Sequence, residues 1–346
     1  MHGHAVVTHG GLAADPRAFA ARRHFAAIHA FRPFLHAGWH PYRHLGWVGP
    51  LFWPYAYGDV FYYALWPADY ADVDPFWVYG YGDIYEGIFS PYAYDDYVQG
   101  SGAHARMTAL TERMAQSCAD EAAEVTGWPI DQIQDAVKPD KAQSALLDDL
   151  GNAIVKASEA IKSHCASEVS LTPTGRLDEM QERLQGLVAA VNIVSPPLAK
   201  FYDSLSDEQK ARFNDIGTTP SGQGGRGQRA STPPKPQAEC DASVMAWPND
   251  RIDRVVRPND AQRAKLDALQ AAATKAADLI KAACPSEIPS TPPARLAAVG
   301  KRLQAMLQAV QTIRPALADF YNALSDDQKA RFNTMGRQLF AAAHAQ

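Results

Sequence analysis

Four cysteines in 346 residues, none in a C-x-x-C pair, are too few and too widely spaced for thiol redox catalysis or a structural zinc site. No run of 18 apolar residues occurs, which argues against a spanning helix; the most apolar stretch, Trp47 to Trp66, is broken by Pro50, Pro54 and Asp59. The first 40 residues carry basic residues and alanines but no continuous apolar core, so no secretory signal is expected there. The G-x-S-x-G, H-E-x-x-H, P-loop and dinucleotide fingerprints are all missing, so neither an enzyme nor a bound cofactor is expected. A net charge of −5 gives no electrostatic footprint for nucleic acid.

What is present is strongly segregated. Eight of the 11 histidines lie between His2 and His44. His36, His40 and His44 recur every four residues and are candidate ligands for a borderline metal through neutral imidazoles. Nineteen of the 34 aromatic residues lie between Trp47 and Tyr97, with eight acidic residues and no Lys or Arg. Pro and Gly recur there every few residues, which fits neither a long helix nor a regular strand. Tyr and Trp favour surfaces with one wet side, so residues 47–97 are expected to contact a partner, a membrane surface or the rest of the chain. The lack of basic residues weakens attraction to anionic lipid.

An internal repeat sets the remainder. Shifted by 119 residues, Trp128–Asn214 lies over Trp247–Asn333 without a gap, with about 43 of 87 positions identical. Residues 218–239 between the copies are rich in Gly, Ser, Thr, Pro and Gln and read as a flexible linker. The organisation expected is a His-rich N-terminus (1–46), an aromatic and acidic irregular segment (47–100), a helical module (104–217), the linker (218–239) and a second helical module (240–343). Within the aligned repeat the only histidine, His164, has no counterpart in the other copy, which argues against a duplicated catalytic base.

Both copies are helical by period. Leu147, Leu150, Ala153, Ala157, Ile161 and Cys165 fall on one face, as do Leu266, Leu269, Ala272, Ala276, Ile280 and Cys284. Pro139 and Pro258 are expected in the first turn of these helices, and Thr172-Pro173 and Thr291-Pro292 as an N-cap followed by proline at N1. The next helix carries Leu177, Met180, Leu184, Leu187, Val191, Val194, Leu198, Phe201 and Leu205, stepping three and four throughout; copy two repeats the seam from Leu296 to Leu324. The register survives Pro196 and Pro315, which predicts one kinked helix in each copy rather than two. Ser206 with Gln209, and Ser325 with Gln328, have capping-box spacing, although the N4 residues Lys210 and Lys329 provide no hydrophobic staple. The fold expected is all-α: two tandem helical-hairpin or bundle modules with long kinked helices, preceded by the irregular aromatic-rich segment.

L-S-D-E-Q-K-A-R-F from Leu205 and L-S-D-D-Q-K-A-R-F from Leu324 resemble the LTxxQ motif of the Spy/CpxP-like family of bacterial envelope proteins, with serine in place of threonine. The aromatic N-terminal segment resembles that of longer alpha-proteobacterial members. The resemblance implies an all-helical periplasmic or cell-envelope protein, some relatives being ATP-independent chaperones and others stress or metal-response proteins. Chaperone members are short single-module chains that dimerise into a cradle; tandem modules and a long N-terminal extension depart from that pattern. Oxidising surroundings suit the four cysteines. Three pairings are possible, and duplication favours Cys118–Cys165 and Cys240–Cys284, each closing a loop worth roughly 3–4 kcal/mol; four buried thiols are the alternative. Two functions are expected to compete. In one, the modules bind unfolded or envelope proteins through surplus apolar surface beside Lys210, Arg212, Phe213, Lys329, Arg331 and Phe332, as a monomer or a homodimer. In the other, the histidine tract senses metal.

Overall fold

The computed structural model describes residues 130–165, 172–215, 249–284 and 289–332. Among the described residues all regular structure is helical. Copy one contains α1 (Ile130–Val137), α2 (Lys141–Ser163), α3 (Pro173–Ser204) and α4 (Asp207–Asp215). Copy two contains α5 (Asn249–Val256), α6 (Asp260–Ala282), α7 (Pro292–Asn322) and α8, helical over 326–332. The starts of α5, α6 and α7 lie 119 residues after those of α1, α2 and α3, so the sequence repeat is also a structural one.

Local chemistry places the boundaries. Asp140 caps α2, its carboxylate accepting from the Ala142 and Gln143 amides, while Gln143 Oε1 accepts from the Asp140 amide at 2.9 Å. Asn259 and Gln262 form the same reciprocal box on α6. These boxes correct one expectation: Pro139 and Pro258 stand before the N-cap rather than in the first turn, because the side chain best able to accept from N3 is the Asp or Asn that follows. Thr172 and Thr291 cap α3 and α7, each with proline at N1. Helix α3 runs unbroken through Pro196 and Pro197, and α7 through Pro315. Pro196 and Pro315 are exposed, as are Asn192 and Gln311 four residues before them, so these prolines interrupt the amide ladder on the wet side of each helix.

In each copy α2 packs along α3, or α6 along α7, as a hairpin, and α1 covers α4. The seam residues from Leu177 to Leu205 and from Leu296 to Leu324 are all buried. The two hairpins do not stand apart. Helix α3 packs along α7, and one core cluster spans both copies. Gly300 approaches so closely that a Cβ there would lie 2.9 Å from Val191 Cγ1. Asp178 accepts from Arg314 Nε in a half-exposed ion pair, and the side-chain hydrogen bond first, then the charge, raises the Arg314 pKa above its ordinary value. The contacts run 178 to 314 and 191 to 300: partner numbers fall as α3 numbers rise, so the helices are antiparallel.

This packing overturns the expectation of surplus apolar surface on the helices. Among the described residues Val155 is the only exposed large hydrophobic. The three-four seams are covered by the other helix of each hairpin and by the second copy, in one core that spans both, and burying each Leu or Val stabilises by about 1.5–3 kcal/mol.

The lone module histidine also has a packing account. His164 stands at the end of α2, where its Nδ1 lies 2.9 Å from the Ala160 carbonyl, and its ring lies against Gly186 of α3; a Cβ on Gly186 would come to 3.1 Å from His164 Cβ. Copy two has Ala283 and Ala305 at these two positions. A large residue facing glycine in one copy becomes two alanines in the other, as close-packed interiors require.

Candidate functional site

The repeated S-D-x-Q-K-A-R-F segment follows directly after the long helix of each copy. Leu205 and Leu324 are buried and close the seam. Ser206 Oγ then accepts from the Gln209 amide at 3.2 Å, and Gln209 Oε1 accepts from the Ser206 amide at 2.9 Å. Ser325 and Gln328 do the same at 3.3 and 2.9 Å. The serine therefore acts as a helix cap in both copies.

The glutamine does more than complete the box. Gln209 Nε2 donates to Gln143 Oε1 and Gln143 Nε2 donates to Gln209 Oε1, both at 2.9 Å, so the two amides form a cyclic pair. Gln143 Nε2 also donates to the Ser204 carbonyl at 2.8 Å. Gln209 Nε2 also reaches the Val137 and Lys138 carbonyls at 3.4 and 3.5 Å. One part-buried amide pair thus joins the end of α1, the start of α2, the end of α3 and the start of α4. Copy two repeats the arrangement: Gln262 pairs with Gln328 at 2.9 Å and donates to the Ala323 carbonyl, while Gln328 reaches the Val256 and Arg257 carbonyls.

The junction restrains backbone that needs restraint. Lys138 and Arg257 have φ of 50° and 53°, in the left-handed region, and each precedes a proline. Such a conformation in a non-glycine residue costs on the order of 1–3 kcal/mol and persists where surrounding bonds enforce it. Here the motif glutamine binds the carbonyl of the strained residue and of the one before it. Arg212 Nη2 and Arg331 Nη2 add a second donor to Val137 and Val256, at 3.3 and 3.4 Å.

The residues expected to meet a client separate into two groups. Phe213 and Phe332 are fully buried, their rings edge-on to Phe201 and Phe320 at 5.8 and 5.9 Å between centroids. A ring with no accessible area offers nothing to a partner, so these two are core residues, and the client-contact expectation for them is corrected. Lys210 and Lys329 hold their ammonium groups 5.6 Å from the Tyr202 and Tyr321 ring centroids. Arg212 pairs with Glu208 at 2.8 Å. These cations reach solvent but are tied to the junction.

Cys165 and Cys284 are both disulfide-bonded, and no cysteine among the described residues is a free thiol. Arg183 Nη1 donates to Cys165 Sγ at 3.1 Å. Cys118 and Cys240 lie outside the described residues, as do His36, His40, His44 and the whole of 47–97. Among the described residues no group of three metal-ligating side chains exists, and no helix is long and apolar enough to cross a membrane.

Sequence reasoning missed the amide pair. Asp140-x-x-Gln143 and Asn259-x-x-Gln262 carry the capping-box spacing, and a glutamine one turn ahead of Leu147 or Leu266 stands on the buried face; together these signals mark a glutamine held in the core.

The profile of the LTXXQ motif family protein matches residues 125–217 and again 244–336. No curated protein and no solved structure matches the chain.

Proposed function

This chain belongs to the LTXXQ motif family, in two tandem copies, and from that premise we propose that it is a non-enzymatic protein of the bacterial envelope that binds other proteins under stress, holding them without ATP. The observation that carries the reading is where the apolar surface goes. The seams lie buried in one core that spans both copies, and the motif residues are used in holding four helix ends together. The helical body is accordingly a scaffold, and protein binding falls to residues 47–97. That segment holds 19 of the 34 aromatics and eight carboxylates without one Lys or Arg, a composition suited to clients that expose apolar and basic groups. The envelope assignment is supported by family membership and by the oxidised state of Cys165 and Cys284, since disulfides persist in oxidising compartments.

Light scattering of a chemically reduced, unfolding client at equimolar ratio tests the proposal. The full chain is expected to delay aggregation without ATP. A variant with the aromatics of 47–97 replaced by serine should lose the effect while keeping its helical circular dichroism. No protection by the full chain at low or high salt, with no binding of a hydrophobic dye, refutes the reading. Protection that survives the aromatic replacement moves the binding surface to the helical body.

A further inference from the structure

The antiparallel contact between α3 and α7 relates the copies by an approximate two-fold axis. Residues 178 and 314 meet, and 191 and 300 meet, so each contact sums to about 491 and the axis passes near Gly186 and Ala305. If the interface were symmetric, each contact would recur at the other end with the equivalent residues 119 positions away. It does not. The counterpart of Asp178 opposite Arg314 is Ala297 opposite Ser195. The counterpart of Gly300 opposite Val191 is Gln181 opposite Val310. The ion pair and the close glycine approach each exist once, although about half of the repeat is otherwise identical.

We infer that this seam is a one-to-one recognition surface: copy one selects copy two of the same chain over copies of itself, with Asp178, Arg314 and Gly300 as the selecting residues, so that one chain is the complete two-module unit. Pairing copy one with copy one would leave Asp178 facing Ser195 at both ends. It would also replace the close glycine contact by Gln181 against Val191 at both ends, where the unlike pairing has a glutamine opposite a valine at one end and Gly300 against Val191 at the other. Pairing copy two with copy two would keep the glycine but set Arg314 against Ala297 at both ends. Only the unlike pairing has both features. The ion pair is half-exposed and selects weakly by itself. The linker adds an effective concentration in the millimolar range, so the unlike pair forms within a chain at any dilution.

The geometry supplies its own test. An ideal Cβ on Gly300 lies 4.0 Å from Val191 Cβ, within the range that a disulfide spans. Full-length Val191→Cys/Gly300→Cys is prepared in unlabelled and nitrogen-15-labelled forms, which are unfolded together, refolded as a mixture and oxidised. Non-reducing electrophoresis and mass spectrometry of the digest are expected to find the 191–300 link in peptides of uniform label and in a species of monomer mobility. Mixed-label links in statistical proportion, or no link in a protein of native helicity, would overturn the inference. Because this variant removes the glycine, the charges are tested separately in the otherwise unaltered chain. Asp178→Arg should lower the urea midpoint, and adding Arg314→Asp should recover at least half of the loss. A double variant no better than the single one would remove the ion pair from the selecting set.

Discussion

Replacing Gln209 by leucine keeps the volume and removes only the polar functions, so the loss reads out the amide pair. The Ser206 amide loses its acceptor but is exposed, and water replaces the bond for a few tenths of a kcal/mol. The Val137 carbonyl keeps Arg212 as a donor. Gln143 is the main casualty: buried, it keeps its bonds to the Ser204 carbonyl and from the Asp140 amide but loses one donor and one acceptor partner at once. Orphaning such groups costs about 1–3 kcal/mol, and Lys138, released from its carbonyl contact, loses part of the restraint on its strained backbone. The expected total is about 2–4 kcal/mol. Gln143→Leu should cost a similar amount, since it also opens the α2 capping box. Each single variant leaves the partner amide one donor and one acceptor bond short, a cost the double variant does not carry, so the double variant should cost about 1–2 kcal/mol less than the sum. Urea unfolding followed by far-ultraviolet circular dichroism measures all three, and Gln328→Leu with Gln262→Leu repeats the cycle in copy two. A Gln209→Leu variant within about 0.5 kcal/mol of the parent, or strictly additive losses, would refute the account of the motif as a structural junction.

Ser206→Ala and Ser325→Ala should each cost about 1 kcal/mol through the lost cap, and threonine at either site should be nearly neutral in the same assay. Gly186→Ala alone should give no gain, because the new methyl meets His164; in a His164→Ala background, which reproduces the Ala283 and Ala305 pair of copy two, it should stabilise by roughly 0.5–1 kcal/mol through helix propensity, and equal effects in both backgrounds would remove the size-matching argument. A non-reduced digest of protein from an oxidising compartment should yield peptides linking Cys118 to Cys165 and Cys240 to Cys284; a peptide joining Cys165 to Cys284 would defeat the one-staple-per-copy pairing.

Period, capping and duplication are local or translational properties, and the sequence by itself determined what depends on them. The three-four seam specified which face of α3 and α7 is buried, and its unbroken register carried the helix across Pro196 and Pro315. Ser206 and Gln209 are three residues apart, so their reciprocal bonds follow from helix geometry alone. What only the tertiary structure decided lies between groups far apart in the chain. Gln143 meets Gln209 across 66 residues, and Asp178 meets Arg314 across 136. A single-sequence pattern says that a glutamine or a seam must be covered, not by what. Phe213 and the seams illustrate the difference: both read as apolar groups in search of a partner, and each found it inside the chain, because two amphipathic hairpins joined by a linker bury more surface against each other than either can bury alone.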